Sequence, residues 1–405
     1  MQGVTEQGQV GGAADCAFSP APLRRAGRKE ITHPVPWDSG RLQFGVPSRA
    51  GDPAHSDPFL AMVSATARVA LPLSDYDPQP CLRVPAHEVL RPAVPAVDAH
   101  CHVDSQPLDE VARIMDAAGI ETMVNISLAK DGELDAVFAR HRTAPRGRFV
   151  LFVLADWDGW AQGRGIAPMV EMLERRVAQG ARGLKVWKDL GLRARDAGGR
   201  LLRADDERFA PLFAKAAELG IPVMLHLGDP AAFFTPVDAR NERYEELAAH
   251  PDWSFYGPQY PAWEEILAQQ ARLIARHPQT RFIGAHMGGA AEDLARVSAW
   301  LDRFPNFAVD ISARAAELGR QPRAARALFL RHPERILFGS DLLPSTEMYR
   351  LYYRFLQTED EYFPYPTHGS GQGRWRIYGL GLPPTVLERI YATNAREWIP
   401  ALRRG

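Results

Sequence analysis

His100 and His102 stand two residues apart in the run VDAHCHVD. Alternate side chains of a β-strand point to the same face, so both imidazoles can reach one ion from a rigid support. The pair alone is weak evidence, because two polar residues can equally fill the inside of a barrel. Three further residues strengthen it: His226 in PVMLHLGD, His286 in RFIGAHMGG and Asp341 in RILFGSDLL, each at the end of an apolar, β-branched run. Three imidazoles and a carboxylate suit one divalent metal, zinc first, with manganese or iron(II) as alternatives. If one coordination position stays open, water there can reach a pKa near 7 and deliver hydroxide at neutral pH.

Those residues need a scaffold that brings distant segments to one place. From Pro95 onward, short β-branched runs alternate with helical patterns such as MVEMLERRVAQG, RFAPLFAKAAELG and WEEILAQQARLIARH. The strand candidates are AVDAHCHVD, ETMVNISLA, RFVLFVLAD, RGLKVWK, PVMLHLGD, RFIGAHMGG, NFAVDISA and RILFGSDLL. Strands alternating with helices imply a parallel sheet with right-handed crossovers. An open doubly wound sheet can have as many strands, but the length of the alternating region is close to that of a (β/α)8 TIM barrel, whose active sites lie at the C-terminal strand ends. His102 and His226 lie about four βα units apart, and His286 and Asp341 about two, at roughly 30 residues per unit. His277 and His332, each between an arginine and a proline, read as helix caps.

The 405-residue chain is 46% hydrophobic and 24% charged, with a formal net charge of −1. That is the balance of a globular protein, with no global field favouring nucleic acid or an anionic membrane. Cys16, Cys81 and Cys101 are too few for a disulfide framework. The first residues lack a cationic segment followed by an apolar core, and no apolar run approaches a membrane span, so a cytoplasmic location is expected. Residues 1–58 read as a disordered leader, 59–95 as an extended segment packed on a larger body, and 96–405 as the barrel. The expected partner is a small, anionic substrate, with a homodimer left open.

The order His-x-His, His, His, Asp on strands one, five, six and eight resembles the amidohydrolase superfamily, in particular its amidohydrolase-related group of metal-dependent hydrolases and non-oxidative decarboxylases. VDAHCHVD resembles the opening motif, GAHMGG the sixth-strand motif, ILFGSDLLP the eighth, and IYATNAREWIP the closing helix. The resemblance implies that His100, His102, His226 and Asp341 are metal ligands. It also implies that His286 sits beside the metal, to polarise a carbonyl or position water, and that Asp341 accepts a proton. Lys185 in GLKVWK is open to three readings. It can be a carbamylated bridge between two metals, as in binuclear members, an ammonium gripping a substrate carboxylate, or half of a structural ion pair; the unmodified ammonium is favoured because the ligand set is complete for one metal.

Asp98 shares the His100 and His102 face by parity. It can either orient an imidazole or hydrogen-bond within the barrel floor. Cys101 points away from the two histidines and reads as a small buried hydrophobe. Asp310 can line the mouth or bond to backbone. Insertions after strands five and eight are rich in aromatics and read as lid-like. In the second, Arg374, Trp375 and Arg376 are candidates for substrate binding, against a plain surface ion pair with the nearby run EDE. The leading expectation is hydrolysis of a carboxylate-bearing lactone, ester or amide. The alternatives are a metal-dependent decarboxylase and a catalytically silent binding barrel.

Overall fold

The structure, a computed structural model, describes residues 71, 72, 75, 78–365 and 372–403. The leader at residues 1–58 lies outside the described residues, as does His368 in the second insertion. The chain divides into two compact units, Ala21–Arg83 and the remainder. In the first, the described residues are exposed, and the Asp75 N–H donates to Pro72 O (2.9 Å).

The larger unit is the expected barrel. Its strands are β1 (Ala96–Cys101), β2 (Ile120–Ile126), β3 (Phe149–Leu154), β4 (Gly183–Val186), β5 (Val223–Leu225), β6 (Phe282–Gly284), β7 (Phe307–Asp310) and β8 (Ile336–Leu337), hydrogen-bonded in sequence order. Each neighbouring pair from β1/β2 to β7/β8 is parallel. The ring closes by backbone bonds from Ala99 N–H to Phe338 O (2.9 Å) and from Asp341 N–H to His100 O (2.8 Å). Val97, Ala99, Val124, Phe152, Met224, Ile283, Ala308 and Leu337 form one apolar cluster with Trp398 and Ile399. A second, larger cluster joins the strands to the surrounding helices. The helices follow the apolar periodicity, as in Trp263–Arg276, where Ile266, Leu267, Leu273 and Ile274 are buried. His277 and His332 occupy C-cap positions, as their flanking residues predict.

Several strands are shorter than the runs that announce them. β6 stops at Gly284 because His286, Met287, Gly288 and Gly289 all take positive φ. The backbone is tight at that point. A Cβ on Gly284 would lie 2.5 Å from Phe307 Cζ and 2.8 Å from the Gly288 backbone. Gly284→Ala is therefore expected to cost about 1–3 kcal/mol through overpacking, read as a lower denaturant midpoint; an unchanged midpoint would contradict this packing.

The two insertions meet each other. Helix Tyr244–Ala249 belongs to the one after β5, and strands β9 (Phe363–Pro364) and β10 (Arg376–Ile377) form an antiparallel hairpin in the one after β8. Phe233, Phe255, Phe363 and Tyr365 are buried, so these aromatics pack the insertions onto the body. Between Val84 and the first strand, the His87 N–H donates to Asp360 Oδ2 (2.8 Å) and Arg91 O accepts from Gln357 (3.3 Å). No helix among the described residues is long and apolar enough to cross a membrane.

Candidate metal centre

His100, His102, His286 and Asp341 converge at the C-terminal strand ends. Asp341 Oδ1 lies 3.0 Å from His102 Nε2 and 3.5 Å from His100 Nε2, and Oδ2 lies 3.5 Å from His286 Nε2. Two of these residues sit in the left-handed backbone region, His286 at φ 59° and Asp341 at φ 53°. Side-chain-bearing residues rarely adopt it, and such strain gathers at functional sites. Here it turns the chain sharply at the strand ends.

The outer hydrogen bonds dictate the tautomers. His102 Nδ1 faces Ile126 O (2.6 Å), His286 Nδ1 faces Ser312 O (2.9 Å), and His100 Nδ1 faces Asp310 Oδ2 (2.9 Å). A carbonyl or carboxylate oxygen can only accept, so each Nδ1 carries the proton. Each Nε2 then presents a lone pair toward the Asp341 carboxylate. Acceptors facing a carboxylate at such distances in a buried site repel unless a cation lies among them, a role that Lys185 Nζ, 3.2 Å from His100 Nε2, fills in part. The donor set therefore fits a divalent metal, and the arrangement of outer N–H bonds to oxygen is the one that metal-binding histidines show. His100, His102 and Asp341 form a group whose ligand atoms lie within 4.8 Å of one another.

His100, His286 and Asp310 form a second such group. The Asp310 oxygens, however, already accept from His100 Nδ1, from the His286 N–H (2.8 Å) and from the Ser312 N–H (3.1 Å). Asp310 thus orients the His100 imidazole and pins the His286 backbone. Asp98 does not orient a ring. Its carboxylate accepts from Ser340 Oγ (2.6 Å), Tyr349 OH (2.8 Å) and the Ser340 N–H (3.1 Å), tying β1 to the segment after β8. The reason is a register irregularity between Asp98 and Cys101, which breaks strict alternation. Cys101 is buried, as expected, and its thiol reaches Leu342 O (3.5 Å).

His226 stands next to this cluster, outside both close groups of ligand atoms. Its ring centre is 4.6 Å from that of His286 and 4.8 Å from Trp187, and its Nε2 is 3.6 Å from Asp229 Oδ1. Lys188 pairs with Asp229 (2.7 Å). Burial lifts the Asp229 carboxyl to about 6 against the pull of Lys188. Lys185 Nζ is fully buried, 3.2 Å from His100 Nε2. Burial brings this ammonium down to about 8, with Asp341 and Asp310 opposing. Burial and the Lys185 charge lower His100 to about 4, so its ring is neutral.

Arg374 pairs with Glu245 through two bonds (3.0 and 2.7 Å). Trp375 carries the Arg320 and Arg243 guanidiniums at 4.1 and 5.1 Å from its ring centre, and Arg376 lies on β10 opposite Pro364. These contacts join the three residues to neighbouring structure. Sequence reasoning missed Trp187, Lys188, Asp229 and Ser312. Each lies just beyond a strand end, which is the one signal that marks it.

Asp310→Asn should weaken metal binding about 10–100-fold, because His100 loses its carboxylate acceptor. Competition against a chelator measures it, and unchanged affinity would show that Asp310 does not orient the ligand.

A family model described as Amidohydrolase matches residues 97–400. Among solved structures, an uncharacterised TIM-barrel protein from Bordetella bronchiseptica is 14% identical, over 76% of this chain and 99% of that one, with a TM-score of 0.50. An amidohydrolase from Burkholderia multivorans with bound zinc is 15% identical, over 75% and 99% of the two chains, at a TM-score of 0.45. A probable 2-pyrone-4,6-dicarboxylic acid hydrolase from Acinetobacter baumannii is 12% identical, over 76% and 100%, at 0.42. No protein of curated function matches the chain.

Proposed function

The chain belongs to the amidohydrolase family, and on that premise we propose that it is a metal-dependent hydrolase acting on a carboxylate-bearing lactone, ester or amide. The observation that carries this reading is the convergence of three Nε2 lone pairs on the Asp341 carboxylate at the barrel mouth. A divalent metal held by His100, His102, His226 and Asp341, zinc first and manganese or iron(II) as alternatives, would supply Lewis acidity and a water acidified toward pH 7.

The chain's own groups divide the remaining work. Asp341 takes the proton from the attacking water at a carboxylate oxygen. His286, with its proton fixed on Nδ1, has an accepting Nε2. It therefore orients a water O–H, and it can polarise a carbonyl only after gaining a proton. The Lys185 ammonium faces the same space and grips a substrate carboxylate.

The test is a screen of the metal-loaded protein against carboxylate-bearing lactones, esters, amides and aromatic acids, reading both acid formation and carbon dioxide. Acid without carbon dioxide supports hydrolysis. Carbon dioxide release would replace this reading with decarboxylation, and no turnover of any class would return the protein to a binding role.

A further inference from the structure

The side chains of His100, His226 and His286 are 0%, 4% and 1% exposed, whereas that of His102 is 24% exposed. Packing therefore holds His102 least. It also lies past the end of its strand: β1 stops at Cys101, and its register against β2 is irregular between Asp98 and Cys101. The chain beyond is tied to the end of β2. Asn125, paired with Cys101 and fully buried, accepts the Val103 N–H at Oδ1 (3.0 Å) and donates from Nδ2 to Asp104 Oδ1 (2.8 Å). The same Nδ2 faces His141 Nε2 (2.9 Å). Asp104 Oδ2 accepts from Ser127 Oγ (2.8 Å) and from the Leu128 N–H (3.2 Å). Between these ties, Ile126 O accepts from His102 Nδ1. The orientation of the amide is dictated: a backbone N–H can meet only its oxygen, and a carboxylate only its nitrogen. A buried amide engaged at both ends rigidifies what it joins.

We propose that Asn125 and Asp104 form a clamp that positions His102 for the metal, acting through the backbone that follows it. The clamp rests on the metal reading above and on no particular reaction. Its polarity can be reversed. Asn125→Asp combined with Asp104→Asn leaves the net charge unchanged. The new carboxylate still accepts the Val103 N–H, and the new amide donates back to it while its oxygen accepts from Ser127 and Leu128. Asn125→Asp alone sets two carboxylates face to face. Asp104→Asn alone turns an N–H onto either the Asn125 amide or the Leu128 N–H.

Chelator competition with zinc alone, and the visible spectrum of the cobalt(II)-loaded protein, test this at mildly alkaline pH, where the carboxylates are ionised. Asn125→Asp should weaken zinc binding about 10–100-fold, as loss of a partner that orients a ligand does, and should shift the cobalt bands. Its added negative charge would by itself attract a cation, so weakening reports geometry. Asp104→Asn should weaken zinc binding as well, and the exchange should recover most of the affinity and the natural spectrum, a coupling expected of residues in contact. Asp104 is only half-buried, so its single variant can be compared with the exchange even if Asn125→Asp fails to fold. A tie that serves the fold alone would lower the unfolding midpoint and leave zinc affinity and cobalt bands unchanged, which would overturn the proposal. Additive weakening in the double variant would overturn it too. A natural protein without zinc affinity would overturn the metal reading and the clamp together. Tight zinc and an intact clamp effect without turnover would remove only the hydrolase reading.

Discussion

Asp341→Asn should lower kcat about 10²–10⁴-fold, the usual contribution of a general base, while metal content stays near normal. The substitution keeps the size of the side chain and one oxygen beside His102 Nε2, now 3.0 Å from Asp341 Oδ1. It removes the property that a base needs here, a carboxylate oxygen that can take a proton. Metal retention follows because the imidazoles can hold zinc without it. His226→Asn, by contrast, should lose metal and activity together. Steady-state kinetics beside elemental analysis separates the two variants. Full activity in a metal-loaded Asp341→Asn would make His286 the first candidate for proton acceptor.

Arg243→Met should destabilise the protein by about 3–5 kcal/mol, the cost of breaking a buried ion pair from one side. Arg243 is fully buried and donates to Glu246 (2.7 Å) and to Glu317 (2.6 Å), whose side chains are also buried. Its removal takes the near cation from two buried carboxylates, leaving Glu317 the more distant Arg320 at 3.7 Å. Burial already raises Glu246 against the opposing pull of Arg243. Without the arginine, the folded-state Glu246 carboxyl should rise further above its unfolded value. The folded state then binds more protons, so the deficit should shrink as pH falls through that raised range. Denaturant unfolding of the natural and variant proteins across pH reads this. A loss below about 1 kcal/mol, typical of an exposed pair, would contradict the network.

The barrel and the position of the centre were legible because both depend on local regularities. Strand and helix periods announce themselves in sequence, and His100, His102, His226, His286 and Asp341 fall at strand ends that one barrel face must gather. Distances along the chain were less informative. Nothing near Asp310 in sequence points to His100, whose Nδ1 it holds (2.9 Å) from the far side of β8. Asp98 was misplaced by parity because the register of β1 shifts between Asp98 and Cys101. Arg243 resembles an ordinary loop arginine, since composition cannot show that Glu246 and Glu317 will fold over it. Arg374, the more conspicuous arginine, is matched to Glu245 instead.

The central claim is that one divalent metal occupies the His–Asp centre and is required for turnover. Elemental analysis and intact mass of the purified protein, with activity followed through chelation and reloading, test it most directly. The expected result is roughly one metal ion per chain, an unmodified Lys185, and activity that disappears and returns with the metal. Two metals per chain with added mass on Lys185 would contradict the mononuclear centre, and activity untouched by complete metal removal would contradict the mechanism itself.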